Sequence, residues 1–285
     1  VLLLLGVYAA IALFPLLLVA SISITDQQVL FEEGYRLWPR EINFSAYAYV
    51  VQLGRQLVQS YLVTIFVTVM GTSLVLLSLS MFAYVISRRD FPHRLLFTLF
   101  GLFTILFDGG IVAKYMINTQ VLGLKDSVWA LILPLVPNGF FLLILKGFFS
   151  NQLPDSIIDS AKVDGAGEFR IFFQIVIPLS VPALGTIGLF SALRYWNDWF
   201  LGLLYIDSSS KTPLQYLLMR LQGSLEFLLR NAGDLGPEAS SLLMSLPPSS
   251  TRMAMVLMVL GPIVFAYAFF QRYFRRGLVL GSVKG

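Results

Sequence analysis

The sequence predicts an all-α membrane protein of six spanning helices, and three observations support this. Of its 285 residues, 57% are hydrophobic and 13% charged, too little polar surface to cover a soluble globule of that size. The apolar residues are gathered in blocks, several of which meet the demand of a bilayer core about 30 Å thick for roughly 20 nearly continuous apolar residues per helix. Basic residues lie mostly at the ends of those blocks, so the net charge of +4 suits membrane orientation better than nucleic-acid binding.

Taken in order, the predicted spans are residues 2–21, 61–86, 95–112, 128–149, 183–206 and 253–270. They are read as helices because backbone groups in lipid must be paired within the segment. The first block is long and lacks a convincing small-residue cleavage site, so it counts as a span rather than a secretory signal. Arg88, Arg89 and Arg94 crowd the turn between spans two and three, and Arg272, Arg275, Arg276 and Lys284 fill the tail. Lys and Arg in short loops favour the cytoplasm, so both termini are expected on the cytoplasmic side of the bacterial inner membrane. Residues 22–60, 113–127 and 207–252 are then outside, and residues 150–182 form a cytoplasmic segment within a single membrane domain of residues 1–285. The stretch 231–250 reads as a loop, flanked by candidate short outer helices at 214–229 and 44–58.

The composition excludes several chemistries. There is no cysteine for a thiolate metal site, and the single histidine, His93, sits in a basic turn, which leaves a Ser-His-Asp triad or a metal centre poorly supplied. No phosphate-binding Gly-x-x-x-x-Gly-Lys-[Ser/Thr] run occurs.

The cytoplasmic segment carries the strongest local pattern. Pro154 suits a first helical turn, Asp155 complements the positive end of the helix dipole, and Gly165 suits a left-handed C-cap. A helix from Pro154 to Asp164 is expected, presenting Ile157, Ile158 and Ala161 on one side, followed by a second short helix leading to Pro178. Asp159 and Asp164 lie five residues apart and face different directions, which argues against an acid–base pair.

This segment resembles the EAA loop of ABC importer permeases, in which Glu-Ala-Ala is followed after three residues by Gly and after nine more by Ile-x-Leu-Pro. Here Asp159-Ser160-Ala161, Gly165 and Ile175-Val176-Ile177-Pro178 hold those places, with Asp for Glu, Ser for Ala and Ile177 for Leu. Asp164-Gly165-Ala166, Trp196-Asn197-Asp198-Trp199 and the terminal Gly281-Ser282-Val283-Lys284-Gly285 resemble the maltose-type carbohydrate permeases, particularly the subgroup importing oligosaccharides and polysaccharide fragments, to which the alginate importer of sphingomonads belongs. The resemblance implies a type I ABC importer permease fold with a cytoplasmic coupling helix that docks on the ATPase, through Ile157, Ile158, Asp159, Ser160, Ala161, Asp164, Gly165, Ile175 and Pro178. It further implies a second permease subunit, two copies of a cytoplasmic ATPase that use ATP and Mg, and an extracytoplasmic solute-binding protein. This chain would bind no cofactor itself and would be a transport subunit rather than an enzyme.

Arg194 and Asp198 fall within predicted span five, where charges avoid lipid, and their i,i+4 spacing permits mutual neutralisation. With Ser191 and Asn197 they form a polar stripe beside Tyr195, whose ring offers a surface for stacking on sugars. Two readings remain open, an ion pair that fixes helix packing and a lining for the substrate pathway. Asp108-Gly109-Gly110 marks the outer end of span three as an interfacial turn or a gate. The competing function is an ion-coupled secondary sugar transporter, a class that often shows inverted repeats or broken helices, neither of which is legible in the sequence.

Overall fold

The computed structural model of the chain describes residues 2–52, 54–231 and 249–264. In chain order the α-helices are α1 (Leu2–Ser23), α2 (Gln27–Glu33), α3 (Ser45–Val51), α4 (Arg55–Ser87), α5 (Arg94–Leu106), α6 (Gly110–Met116), α7 (Trp129–Ile132), α8 (Gly139–Gln152), α9 (Asp155–Val163), α10 (Glu168–Ile171), α11 (Ile177–Leu179), α12 (Val181–Trp196), α13 (Phe200–Tyr205), α14 (Leu214–Arg230) and α15 (Ser249–Val264). The only extended pairing among the described residues is an antiparallel bridge between Thr25 and Ile42. The tail cations from Arg272 to Lys284, the terminal 281–285 motif, the end of predicted span six and most of the 231–250 loop lie outside the described residues.

Among the described residues two helices are long and apolar enough to cross a membrane unaided, α1 with 22 residues and α4 with 33. At 1.5 Å per residue α4 is about 50 Å long, well beyond the hydrocarbon thickness. Its serines are satisfied on their own helix, Ser73 donating to the Val69 carbonyl at 2.8 Å and Ser78 to that of Leu74 at 2.6 Å.

Predicted spans three, four and five are broken, a correction to the straight helices expected. Predicted span three turns through 113° between α5 and the helix that begins at Gly110. Gly110 has φ +78°, and its N–H is taken by the Asp108 carboxylate at 2.7 Å, so the Asp-Gly-Gly sequence makes a turn. Predicted span four bends by 52° ahead of α8. Pro134 and Pro137 deprive it of two donors, and Asn138 restarts it by accepting from Phe141 N–H at 3.0 Å. Predicted span five ends as α12 at Trp196 and restarts as α13 at Phe200. The helical run Glu168–Leu179 meets α12 at 80°. Broken helices are therefore present, and their absence no longer counts against a secondary transporter.

The described chain falls into two compact units, one of residues 2–62 with 212–264 and the other of residues 63–211. In the first, Asp26 caps α2 through Gln28 N–H at 2.8 Å, and Ser23 Oγ lies 2.9 Å from Tyr47 Oη. Buried Gln27 accepts from Ser249 N–H at 3.2 Å and the Ser250 hydroxyl at 3.4 Å, satisfying the start of α15, while Tyr61 donates to the Met258 carbonyl at 2.8 Å.

The second unit is built by close helix crossings at small residues. A Cβ on Gly139 would meet the Gly101 carbonyl oxygen at 2.5 Å and Thr104 Oγ1 at 2.7 Å, so α5 and α8 approach backbone to backbone. Leu145, Phe149, Ile171, Val176 and Ile187 are fully buried in the core that results.

Candidate functional site

The predicted helix of the cytoplasmic segment is α9. Pro154 precedes it in extended conformation, and Asp155 supplies the acidic first turn. Its end is a Schellman motif: Gly165 N–H donates to Lys162 O at 3.0 Å, Ala166 N–H donates to Ala161 O at 2.9 Å, and Gly165 has φ +79°. The second helical run begins at Glu168, expands into a π turn over Phe172–Val176, and carries Pro178 in its last turn. Pro178 has no N–H and is exposed there, whereas Ile175 packs against the core.

The apolar side expected to be presented outward is divided. Ile158 is 3% exposed and Ala161 9%, both inside the unit's own core, while Ile157 is 41% and Val163 87% exposed. Asp159, Ser160, Asp164 and Gly165 are exposed with them. An amphipathic helix must bury its apolar stripe, and here the chain's own core covers it. The outward face is the one carrying Ile157, Ser160, Val163 and Asp164.

A charge network, missed in the sequence, ties α9 to the α4–α5 turn. Arg88, whose side chain is 12% exposed, lies 3.2 Å from Asp90, 3.5 Å from Asp155 and 3.9 Å from Asp159. Lys162 continues it, 3.5 Å from Asp90 and 2.9 Å from Glu168, and Tyr84 Oη donates to Glu168 at 3.3 Å. The Arg88 hydrogen bond holds the Asp90 carboxyl below the usual carboxylate range, and the Glu168 hydrogen bond raises Lys162. Beside this network a cavity of about 360 Å³ is lined by Met81, Val85, Phe91, Phe169 and Phe172 with Arg88 and Glu168. The one available signal was the cluster of arginines at 88, 89 and 94, read only for orientation.

The membrane charges are rearranged relative to expectation. Because α12 stops at Trp196, the i,i+4 relation of Arg194 and Asp198 is lost and no ion pair forms between them. Asp198 instead accepts from Leu201 N–H at 2.8 Å, capping α13. Arg194 and Asn197 are exposed on this chain, and the Asn197 amide donates to Leu193 O at 2.9 Å. Ser191 and Tyr195 are buried within the helical packing, so the predicted stripe is divided between two faces. The Tyr195 hydroxyl donates to the Ile132 carbonyl at 2.9 Å, which engages it in packing.

A second cluster, also missed, joins the loop after α6 to the end of α13. Asp126, at φ +52°, accepts from Asp207 N–H at 3.1 Å, Ser208 N–H at 2.9 Å, the Ser208 hydroxyl and Lys211 at 3.0 Å. These donors, Ser208 foremost, hold its carboxyl far below the usual range. Asp126 N–H returns a bond to Tyr205 O at 2.8 Å, and the Tyr205 ring stacks on Tyr115 at 5.7 Å.

No protein-family profile matches the chain. It is 38% identical over 279 residues to the polygalacturonan/rhamnogalacturonan transport system permease protein YtcP of Bacillus subtilis (strain 168), covering 98% of this chain and 94% of the relative. It is 37% identical over 281 residues to Protein LplC of the same organism, covering 99% and 92%. Among solved structures, a bacterial ABC transporter involved in the import of the acidic polysaccharide alginate superposes with a TM-score of 0.80 at 29% identity, over 95% of this chain and 94% of that one. The extent of these matches sets aside the secondary-transporter alternative and an enzymatic role, and the chain belongs to the permease subunits of ABC sugar importers.

Proposed function

We propose that this chain forms half of the pathway by which an acidic oligosaccharide crosses the inner membrane, as one transmembrane domain over residues 1–285 with both termini cytoplasmic. Residues 150–182 serve as the coupling loop, and α9 offers Ile157, Ser160, Val163 and Asp164 to a separate ATPase that uses ATP and Mg. A second permease and an extracytoplasmic binding protein complete the importer. The observation that carries the coupling role is the C-capped α9, held by Arg88 with one face buried and the other free.

The acidic substrate class rests on the substrates of the related systems, polygalacturonan and alginate, together with Arg194, an exposed cation with no ion pair among the described residues. Asn197 and Asp198 stand beside it at the helix break, and Ser191 and Tyr195 support that wall from behind. Arg194 and Asp198 make no ion pair among the described residues, but the Arg194 charge acts on the Asp198 carboxyl, so Arg194→Gln is read beside Arg194→Gln/Asp198→Asn. Uptake of an oligogalacturonate should fall about tenfold, the loss expected from one charge-assisted contact, while a neutral oligosaccharide is unaffected and the ATPase still assembles. Equal uptake of the acidic sugar by wild type and variant would refute the role of Arg194. Single cysteines at Ser210 and Ser282 test the topology: an impermeant reagent should reach the first only from outside and the second only from inside.

A further inference from the structure

On the side of Arg88 facing α8 lies a second cavity, of about 200 Å³, whose walls are largely polar. Arg88, Arg89 and Arg94 line it, with Ser150 and Asn151 from the end of α8, and Asp155 is its one carboxylate. Arg88 is balanced by Asp90 at 3.2 Å and Asp159 at 3.9 Å as well as by Asp155, so the positive charge open to a ligand is that of Arg89 and Arg94. Asp155 is already shared between Arg88 at 3.5 Å and Arg89 at 3.7 Å, and Arg94 makes no ion pair among the described residues. The serine hydroxyl and asparagine amide add neutral donors. The volume admits a phosphate group with attendant water, each water taking about 30 Å³.

We propose that this cavity is a binding site for a phosphate group, held by Arg89 and Arg94 with Arg88 behind them. Guanidinium forks match phosphate oxygens in a way a lone ammonium does not. The site lies between the end of α4 and the start of α5, at the end of helices read as spanning, where a lipid head group or a dissolved anion can reach it. An anionic lipid of the adjoining leaflet is one source of the phosphate, and free phosphate in the cytoplasm is the other. Assignment to the cytoplasmic side rests on the topology proposed above, but binding to the cavity does not. Arg88 also touches Asp155 and Asp159 on α9, so an occupied site would brace the base of that helix.

The test uses the purified importer and reads binding rather than transport, so a failed transport assignment would leave its result intact. The complex is placed in phosphatidylcholine vesicles, in vesicles of equal parts phosphatidylglycerol and phosphatidylcholine, and in phosphatidylcholine vesicles with millimolar inorganic phosphate. Thermal unfolding is followed in each, and retained lipid is counted by native mass spectrometry. For the lipid source, phosphatidylglycerol raises Tm and is retained about fivefold over phosphatidylcholine for each arginine engaged. For the free anion, inorganic phosphate alone raises Tm. Either effect should vanish in Arg89→Gln/Arg94→Gln and be weakened but not lost in Arg94→Lys, which keeps the charge without the fork. If neither ligand shifts Tm or is retained by wild type, or if the effect persists in the double Gln variant, the site is refuted. The wild-type retention measurement decides the matter even if the variant fails to fold.

Discussion

The far edge of the Tyr195 ring fills the space that a side chain on Gly71 would need: a Cβ there would come 2.4 Å from Cζ and 2.6 Å from both Cε atoms. The ring is buried, and its hydroxyl is fixed to the Ile132 carbonyl, so it has nowhere to retreat. Gly71 thus sets how closely α4 and α12 approach.

Gly71→Ala should therefore destabilise the subunit by about 1–3 kcal/mol, the usual range for overpacking a filled site. Thermal unfolding of the solubilised complex measures this. The same change in a Tyr195→Leu background should cost much less, since the competing ring is gone, and equal costs in both backgrounds would place the strain elsewhere.

For α9, side chains on its two faces should separate stability from coupling. Ala161→Leu adds bulk to the subunit's own core and should lower its stability by about 1–3 kcal/mol. Ile157→Glu and Val163→Glu point outward and should leave Tm unchanged while reducing co-purification of the ATPase. Nothing lies within 4 Å of the position a Cβ would take on Gly165, so Gly165→Ala meets backbone strain alone, about 1–2 kcal/mol. Gly165→Asn should be milder than Gly165→Ala, because Asn tolerates the left-handed region.

These residues also mark how far the sequence could be read. The C-cap at Gly165 was legible because a glycine directly after a short amphipathic run has one common use. The burial of Ile158 and Ala161 was not, because periodicity finds an apolar face without saying which molecule covers it. The break at Asn197–Trp199 was hidden for a different reason: it contains neither Gly nor Pro, and hydropathy sums across it. Asp126 and Lys211, like Arg88 and Asp155, are far apart in sequence and meet only through the fold.

Asp126 provides a pH test. Its carboxyl is depressed in the folded protein by the Ser208 and Lys211 hydrogen bonds, so the unfolded state takes up a proton first as pH falls. The stabilisation is fully present above the ordinary carboxylate pKa of about 4 and is lost below it. Wild type should unfold at a higher temperature than Asp126→Asn at pH 7, and the gap should narrow as pH falls below about 4. A gap independent of pH would mean that the Asp126 charge contributes nothing.

Three of the helix breaks share a local design. At each, the N–H freed by the interruption is taken by a side chain two or three residues earlier: Gly110 by Asp108, Phe141 by Asn138 and Leu201 by Asp198. A bend that carries its own acceptor satisfies that donor locally even where water is scarce, while a freed carbonyl such as that of Ile132 is taken by Tyr195 from α12. The donor left open at each of these breaks is therefore satisfied by residues close by in the chain, with no contribution from another subunit.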